Sequence, residues 1–181
     1  AAGQTNKASL PLRQCSNVGS NFKATPFSNL TMRPYKGFIK DDPNFRTLFE
    51  NTVMTVGHIF ETSYCYNKLT KEEFAIFEFD NDPTCGLIGK RNDWCLIGGD
   101  VLVLRTWVDN TLRFVGELKQ IFDLKTIDDY TVQILTDPWD NGSEIWQLTI
   151  DLNKLTRPLI LTKIRDFKEY ADKPYTDKVV W

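Results

Sequence analysis

The residues with the strongest intrinsic chemistry are four cysteines and one histidine. They are Cys15, Cys65, Cys85, Cys95 and His58. No two of the cysteines have the CxxC spacing of a zinc ribbon or a thioredoxin-type redox site, and one histidine supplies little for a mixed Cys/His zinc site. No serine lies in the GxSxG pattern of a hydrolase nucleophile. The sequence therefore predicts no catalytic residue, no metal site, no cofactor and a protein that is not an enzyme.

An even number of cysteines without metal-ligand spacing favours two disulfide bonds. We predict a Cys85–Cys95 bond, because these residues flank a turn at 89–92 whose two arms can run antiparallel. The remaining pair, Cys15 and Cys65, closes a long loop, which gives the larger stabilisation in the chain-entropy model. Disulfides form outside the reducing cytosol, so this pattern predicts a secreted protein.

Two further properties of the sequence bear on its surroundings. The acceptor pattern for N-glycosylation begins at Asn29 and at Asn141, which agrees with export and predicts a glycoprotein. The net charge is −2, and no apolar run approaches the ~20 residues that span a bilayer. We therefore expect neither a nucleic-acid partner nor a membrane span.

Tryptophans and carboxylates in turns are the remaining candidates for recognition. Trp139 and Asp140 belong to a Pro-Trp-Asp turn, and because a turn does not easily bury an indole, we expect Trp139 to anchor a partner. Trp107 is the third predicted partner-binding residue. A hydrolase needs only two carboxylates at a set separation, so Asp137, Asp140 and Glu144 keep that alternative open.

The first element that would position these residues is a helix. Asp42 and Pro43 are the residue types preferred at the N-cap and first position of a helix. The apolar residues that follow recur at helical spacing: Phe45, Leu48, Phe49, Val53, Val56, Ile59 and Phe60. This periodicity predicts one amphipathic helix over about 43–61.

After residue 61 the pattern changes to short strands. Short runs of alternating apolar and polar residues are bounded by turn dipeptides, of which Asp109-Asn110 and Asn141-Gly142 are two. We predict about eight to ten strands that follow one another as an antiparallel meander. The predicted fold class is α+β, mainly antiparallel β, arranged as two small domains or as one β-barrel or sandwich. The sequence contains no recognisable internal repeat.

The distribution of charges and cysteines predicts the domain organisation. Residues 1–40 contain six basic and no acidic side chains and are rich in polar residues, so we predict an irregular basic N-terminal segment. All four cysteines precede Gly98-Gly99. We predict a disulfide-stapled helix-plus-sheet domain over 41–98 and a cysteine-free β domain over 99–181, with one continuous domain over 41–181 as the alternative.

Together these properties predict a secreted, non-catalytic binding protein. A cysteine-bearing α+β half followed by a β-only half is similar to the layout of two-domain secreted effectors. That resemblance implies recognition of a host or environmental macromolecule. A lipocalin-like carrier of a small apolar ligand is the first alternative, because a meander barrel with two disulfides also fits this length. A hydrolase that uses turn carboxylates is the second.

Overall fold

The chain is described here by a computed structural model that covers residues 37–152 and 159–181. The described residues form twelve strands and a single turn of 3-10 helix at Ile39–Asp41. All strand pairs are antiparallel, which confirms the prediction of a mainly antiparallel β fold. The predicted basic N-terminal segment lies outside the described residues up to position 36, and so do Cys15 and Asn29.

The strands form three four-stranded sheets. The first sheet contains β1 (Arg46–Glu50), β2 (Met54–Ile59), β3 (Thr62–Asn67) and β4 (Glu73–Glu78). The second contains β5 (Cys85–Ile88), β6 (Trp94–Gly98), β7 (Val101–Thr106) and β8 (Thr111–Lys119). The third contains β9 (Ile121–Thr126), β10 (Thr131–Thr136), β11 (Glu144–Thr149) and β12 (Ile160–Asp166). Neighbouring strands are consecutive in sequence, so each sheet is a simple meander.

The predicted helix over 43–61 is wrong, because this stretch forms β1 and β2. Asn51 makes the turn between them: its Oδ1 accepts hydrogen bonds from the backbone N–H groups of Val53 and Met54, at 2.9 Å each. Asp42 likewise accepts the N–H two residues after it at 2.8 Å, and so makes an Asx turn instead of capping a helix. The α part of the predicted fold class fails with this helix.

The three sheets pack face to face. The first strands of successive sheets lie beside one another, β1 against β5 and β5 against β9. Four-stranded antiparallel meanders placed side by side in this way are the building unit of β-propellers. The described sheets do not join edge to edge, so the predicted single barrel is wrong, whereas face-to-face packing agrees with the sandwich part of that prediction.

Strand β6 of the second sheet is buried on both faces. In β6, Trp94 and Leu96 pack in the core shared with the third sheet, while Cys95 and Ile97 pack in the core shared with the first. All five residues of this strand are buried. Its nearly continuous apolar sequence is the pattern expected of a strand that is covered on both sides.

The outer face of the third sheet is covered by the C-terminal segment, residues 167–181. Phe167 and Tyr170 are buried there in a small third core. Trp181 donates a hydrogen bond from its Nε1 to Oδ2 of Asp123 on β9, at 2.9 Å. The end of the chain is thereby attached to the sheet that it covers.

The described cysteines are free thiols, so the predicted Cys85–Cys95 bond is wrong, whereas the predicted Cys15–Cys65 bond involves Cys15, which lies outside the described residues. Cys65, Cys85 and Cys95 are all buried. Cys85 pairs with Gly98, and Cys95 lies three positions before Gly98, an odd offset that directs its side chain to the opposite face of the sheet. The two sulfurs therefore belong to different cores. Cys65, the predicted partner of Cys15, is itself unpaired.

Burial also makes these thiols poor acids. Desolvation disfavours the thiolate and raises the pKa of Cys65 and of Cys85 to about 12, from an ordinary value of 9.0. The same cause raises the pKa of Cys95 well above 9.0. Such cysteines behave as small apolar side chains and not as nucleophiles.

The predicted domain boundary at Gly98-Gly99 joins two strands of one sheet. Strand β6 ends at Gly98, and it pairs with β7, which begins two residues after Gly99. Gly98 allows close packing here, because a Cβ at this position would lie 2.6 Å from Cγ2 of Ile121 in the third sheet. The division at this point and its alternative, one continuous domain, both stay predictions.

Candidate functional site

One end of the sheets, which we call the loop end, carries the connections that follow the even-numbered strands. In a chain of antiparallel strands these connections must all lie at the same end. The C-terminal segment follows β12 and therefore also starts there. A pocket of about 340 Å³ lies among four of these connections and the C-terminal segment.

Polar residues contribute to the pocket wall, although most of its accessible surface is apolar. The polar part is contributed by the β4–β5, β6–β7, β8–β9 and β10–β11 connections. The polar lining residues are Asn81, Asp82, Thr84, Asp100, Gln120 and Asp137. This set has three carboxylates and no basic side chain, so the pocket carries a formal negative charge.

Backbone hydrogen bonds tie three of the lining connections together. Gln120 is the central link: its N–H donates to the carbonyl of Asp100 at 3.1 Å, and its own carbonyl accepts the N–H of Asp137 at 2.9 Å. Gln120 has φ 51°, a left-handed conformation that costs a non-glycine residue roughly 1–2 kcal/mol. Glycine at position 120 would adopt this backbone conformation without strain, but the chain has a glutamine there, whose side chain lines the pocket.

Aromatic rings form another part of the wall. Trp139 is half-buried, and its ring lies against Tyr175 of the C-terminal segment, nearly parallel, with 4.8 Å between the centroids. Phe122 approaches the same indole edge-on at 5.4 Å. The indole Nε1 donates to the carbonyl of Pro174 at 3.1 Å, which fixes the ring and the segment to each other. Tyr175 itself is 75% exposed.

The carboxylates of the pocket are not neutralised by the rest of the described chain. Asp82, Asp100 and Asp137 make no ion pair among the described residues, although other carboxylates do, such as Asp129 with Lys90 at 2.7 Å. Oδ1 of Asp100 is buried and has no hydrogen-bond partner. A buried acceptor without a donor costs roughly 1–3 kcal/mol.

The structure separates the three residues predicted to bind a partner. Trp139 lines the pocket. Asp140 is exposed beside it, and its Oδ1 accepts the N–H of Gly142 at 2.8 Å, which shapes the turn. Trp107 follows β7 and therefore lies at the opposite end of the sheets, edge-on to Phe74 at 5.1 Å. The predicted pair Trp139 and Asp140 stays together, and Trp107 does not join it.

The predicted turn acids are separated in the same way. Asp137 lines the pocket and accepts the N–H of Trp139 at 3.0 Å. Glu144 is used for structure: it accepts a hydrogen bond from Nε1 of Trp146 at 2.8 Å and pairs with Lys163. Of Asp137, Asp140 and Glu144, only Asp137 lines the pocket.

Most lining residues were not predicted from the sequence, and Asp100, Phe122 and Tyr175 show why. Asp100 follows the glycine pair that suggested a domain boundary, and a Gly-Gly-Asp turn between apolar strands was the signal available there. Phe122 lies in β9 among ordinary strand residues, and Tyr175 lies in a polar tail. Nothing local distinguishes these two, because the packing of distant segments brings them to the pocket.

Comparisons with known proteins give little similarity. The sequence matches no model of a known protein family. No curated protein matches it either. Among solved structures it is similar to the crystal structure of the tricorn protease, with 8% sequence identity and a TM-score of 0.45. That match covers 67% of this chain and 13% of the other, so the chain spans about an eighth of the length of that protein.

In residues 37–152 and 159–181, the helices bear on membrane insertion, and the His, Cys, Asp and Glu side chains bear on metal binding. No helix in these ranges is long and apolar enough to cross a bilayer. No group of three or more His, Cys, Asp or Glu side chains there is arranged to hold a metal ion.

Proposed function

We propose that this chain is a non-catalytic binding protein that recognises a macromolecular partner at the loop end. The observation that carries the proposal is the pocket of about 340 Å³, whose wall combines aromatic rings with carboxylates that have no ion-pair partner in the described chain. Its volume is within the range of roughly 300–1,000 Å³ that is usual for ligand sites.

The pocket is supported by rigid elements. Its lining residues follow directly on paired strands, and Gln120 links two neighbouring connections through the backbone. A preformed site loses little conformational entropy on binding, which favours affinity. Recognition by such a site requires no moving part.

The surface around the pocket supports a large partner. Tyr175 is 75% exposed, and Phe60, in the β2–β3 connection at the same end, is 58% exposed. Exposed aromatic residues beside a pocket are typical of anchors in protein recognition. The proposal includes export and an effector-like role, which the glycosylation pattern at the exposed Asn141 supports.

A matched pair of tryptophan variants tests the proposal. Trp139→Ala removes the pocket wall, and Trp107→Ala removes an indole of similar burial at the opposite end. Each immobilised protein is exposed to an extract of its natural surroundings, and the retained macromolecules are identified and quantified. We expect a partner that is retained by the wild type and by Trp107→Ala and lost with Trp139→Ala, while circular dichroism reports the same fold for all three.

If Trp139→Ala retains the partner and Trp107→Ala loses it, the binding site lies at the other end of the sheets. Equal retention by all three proteins would contradict a tryptophan-based site at either end.

The hydrolase remains a second candidate, because Asp82 and Asp137 line the same pocket. Glycoside hydrolysis requires two carboxylates that flank the bond to be cleaved. Turnover of chromogenic glycosides that is lost in Asp137→Asn and retained in Asp140→Asn would favour it. The carrier alternative has less support, since the space between neighbouring sheets is filled by side chains.

A further inference from the structure

We propose that the loop-end pocket recognises an alkylammonium group, as presented by a lysine side chain or by a free amine. The inference rests on the proposed function, because it assumes that this pocket is the binding site. It adds the chemistry of the group that enters the pocket.

The charge of the lining is the first argument. Asp82, Asp100 and Asp137 line the pocket, and no Lys, Arg or His does. None of the three makes an ion pair among the described residues, so their mutual repulsion is not offset by a neighbouring cation. A concave wall of one sign concentrates its potential inside the cavity and attracts a ligand of the opposite sign.

The aromatic rings of the pocket are the second argument. Elsewhere the chain places its own cations over aromatic faces, for example Lys173 over Tyr170 at 4.1 Å and Lys125 over Trp181 at 5.7 Å. Over the pocket ring of Trp139 no cation of the described residues lies within such a distance. Aromatic faces beside carboxylates form the environment that binds ammonium groups, including methylated ones.

The buried oxygen of Asp100 is the third argument. Its Oδ1 is buried without a hydrogen-bond donor, so the protein itself leaves the charge of this carboxylate poorly stabilised. A cation in the pocket that Asp100 lines would offset this charge through space, without a hydrogen bond to Oδ1.

The arrangement of the carboxylates favours an organic cation over a metal ion. Among the described residues they form no group that could hold a metal. A metal ion requires several oxygens converging at 2.0–2.6 Å, roughly, whereas an alkylammonium group spreads its interactions over rings and carboxylates at longer range. A neutral sugar would also stack on Trp139, but it would leave the three charges uncompensated.

The test is a titration of the whole folded chain with defined probes, followed by calorimetry or by NMR. The probes are acetyl-lysine-amide with zero to three methyl groups on Nζ, and a neutral hydrocarbon of the same shape as the trimethylated form. A short lysine peptide and the free polyamine spermidine distinguish a side chain from a free amine as the source. A neutral oligosaccharide is the competing ligand.

We expect the charged probes to bind at least ~10-fold more tightly than the neutral isostere, and to weaken as salt rises from about 20 to about 200 mM. Asp100→Asn and Asp137→Asn should each weaken binding severalfold. Asp128→Asn is the matched control, since Asp128 lies in the β9–β10 connection at the opposite end of the sheets and accepts a comparable turn hydrogen bond, from the N–H of Tyr130 at 2.9 Å. That variant should bind as the wild type does.

Two results would overturn the ammonium assignment and leave the proposed function intact. One is equal binding of the charged probe and its neutral isostere, and the other is Trp139-dependent binding of the oligosaccharide with no binding of any cation. No binding of any probe also overturns it. If, in addition, Trp139→Ala captures the same partners as the wild type, the proposed function fails as well.

Discussion

The free thiols give a prediction that separates this structure from a disulfide-bonded one. At pH 8 an ordinary thiol with a pKa of 9.0 is about one-tenth thiolate, whereas a thiol with a pKa of about 12, such as Cys85, is about one ten-thousandth thiolate. The thiolate is the reactive form, so alkylation of Cys85 in the native protein should be ~1,000-fold slower than in the unfolded chain, before its burial adds a further delay.

The same shift in pKa makes stability depend on pH. The pKa of the Cys85 thiol is raised by folding, so the native state binds the proton more tightly than the unfolded state does. This contribution is fully present below pH 9 and is lost as the pH rises toward 12. The loss is about 1.4 kcal/mol per pH unit, or about 4 kcal/mol across the window.

Two assays measure these effects. Iodoacetamide labelling followed by peptide mass spectrometry gives a rate for each cysteine, in the native protein and in guanidinium chloride. Urea denaturation at a series of alkaline pH values gives the free energy of unfolding of the wild type and of Cys85→Ala. We expect the free energy of unfolding to fall less steeply with pH in the variant, because one shifted thiol is absent. Rapid labelling of native Cys85, or a peptide containing a Cys85–Cys95 bond, would refute the reasoning.

Other predictions concern packing. Gly98→Ala should destabilise the protein by about 1–3 kcal/mol, because the added Cβ would lie 2.6 Å from Ile121. Urea denaturation measures this change. The control Gly142→Ala should show no comparable change, because its Cβ meets nothing closer than 3.5 Å. Phe167→Ala should lower the free energy of unfolding by about 3–5 kcal/mol, because this residue is only 1% exposed. The melting temperature of this variant should fall well below that of the control Val180→Ala, which alters a 71% exposed side chain. Limited proteolysis should distinguish the domain alternatives: two stable pieces cut near 98–100 would favour two domains, and one resistant core would favour a single domain.

The predicted helix shows what sequence periodicity can and cannot distinguish. Strand β1 contains a bulge between Thr47 and Phe49, and a turn follows at Asn51. An extra residue in a strand, followed by a turn, converts a period of two into spacings of three and four, which imitate a helix. Gly57 argued against a helix, because glycine is a poor helix former. In the structure this glycine leaves room for Phe45, since a Cβ on Gly57 would lie only 2.3 Å from the nearest ring atom.

The cysteine prediction failed for a related reason. Two residues that flank a turn are near each other in sequence, but a disulfide also needs both side chains on the same face of the sheet. Cys85 and Cys95 point to opposite faces because of their register. Register is not visible in a cysteine count. It could have been anticipated only by identifying Cys85 and Gly98 as partners.

Part of the candidate site could be predicted from the sequence because turn chemistry is local. Trp139 and Asp137 could be selected from a Pro-Trp-Asp turn between two recognisable strands. Phe122 and Tyr175 could not, since they reach the pocket from 17 residues before Trp139 and 36 residues after it. The sheet starts at residues 46, 85 and 121 recur at similar intervals, but the side chains of the three units differ, so this repeat exists in the backbone and not in the sequence.

The contiguity of each sheet has a consequence for biosynthesis. Every four-stranded unit is complete within its own stretch of chain, so its contacts are short in sequence and can form quickly. Emerging from the ribosome, the second sheet can fold on the first before the third exists. The face of the second sheet that carries Trp94 and Leu96 then stays exposed to solvent, as an apolar surface, until β9 to β12 have been translated. A chain that ends after residue 119 would therefore expose this apolar face permanently and should aggregate.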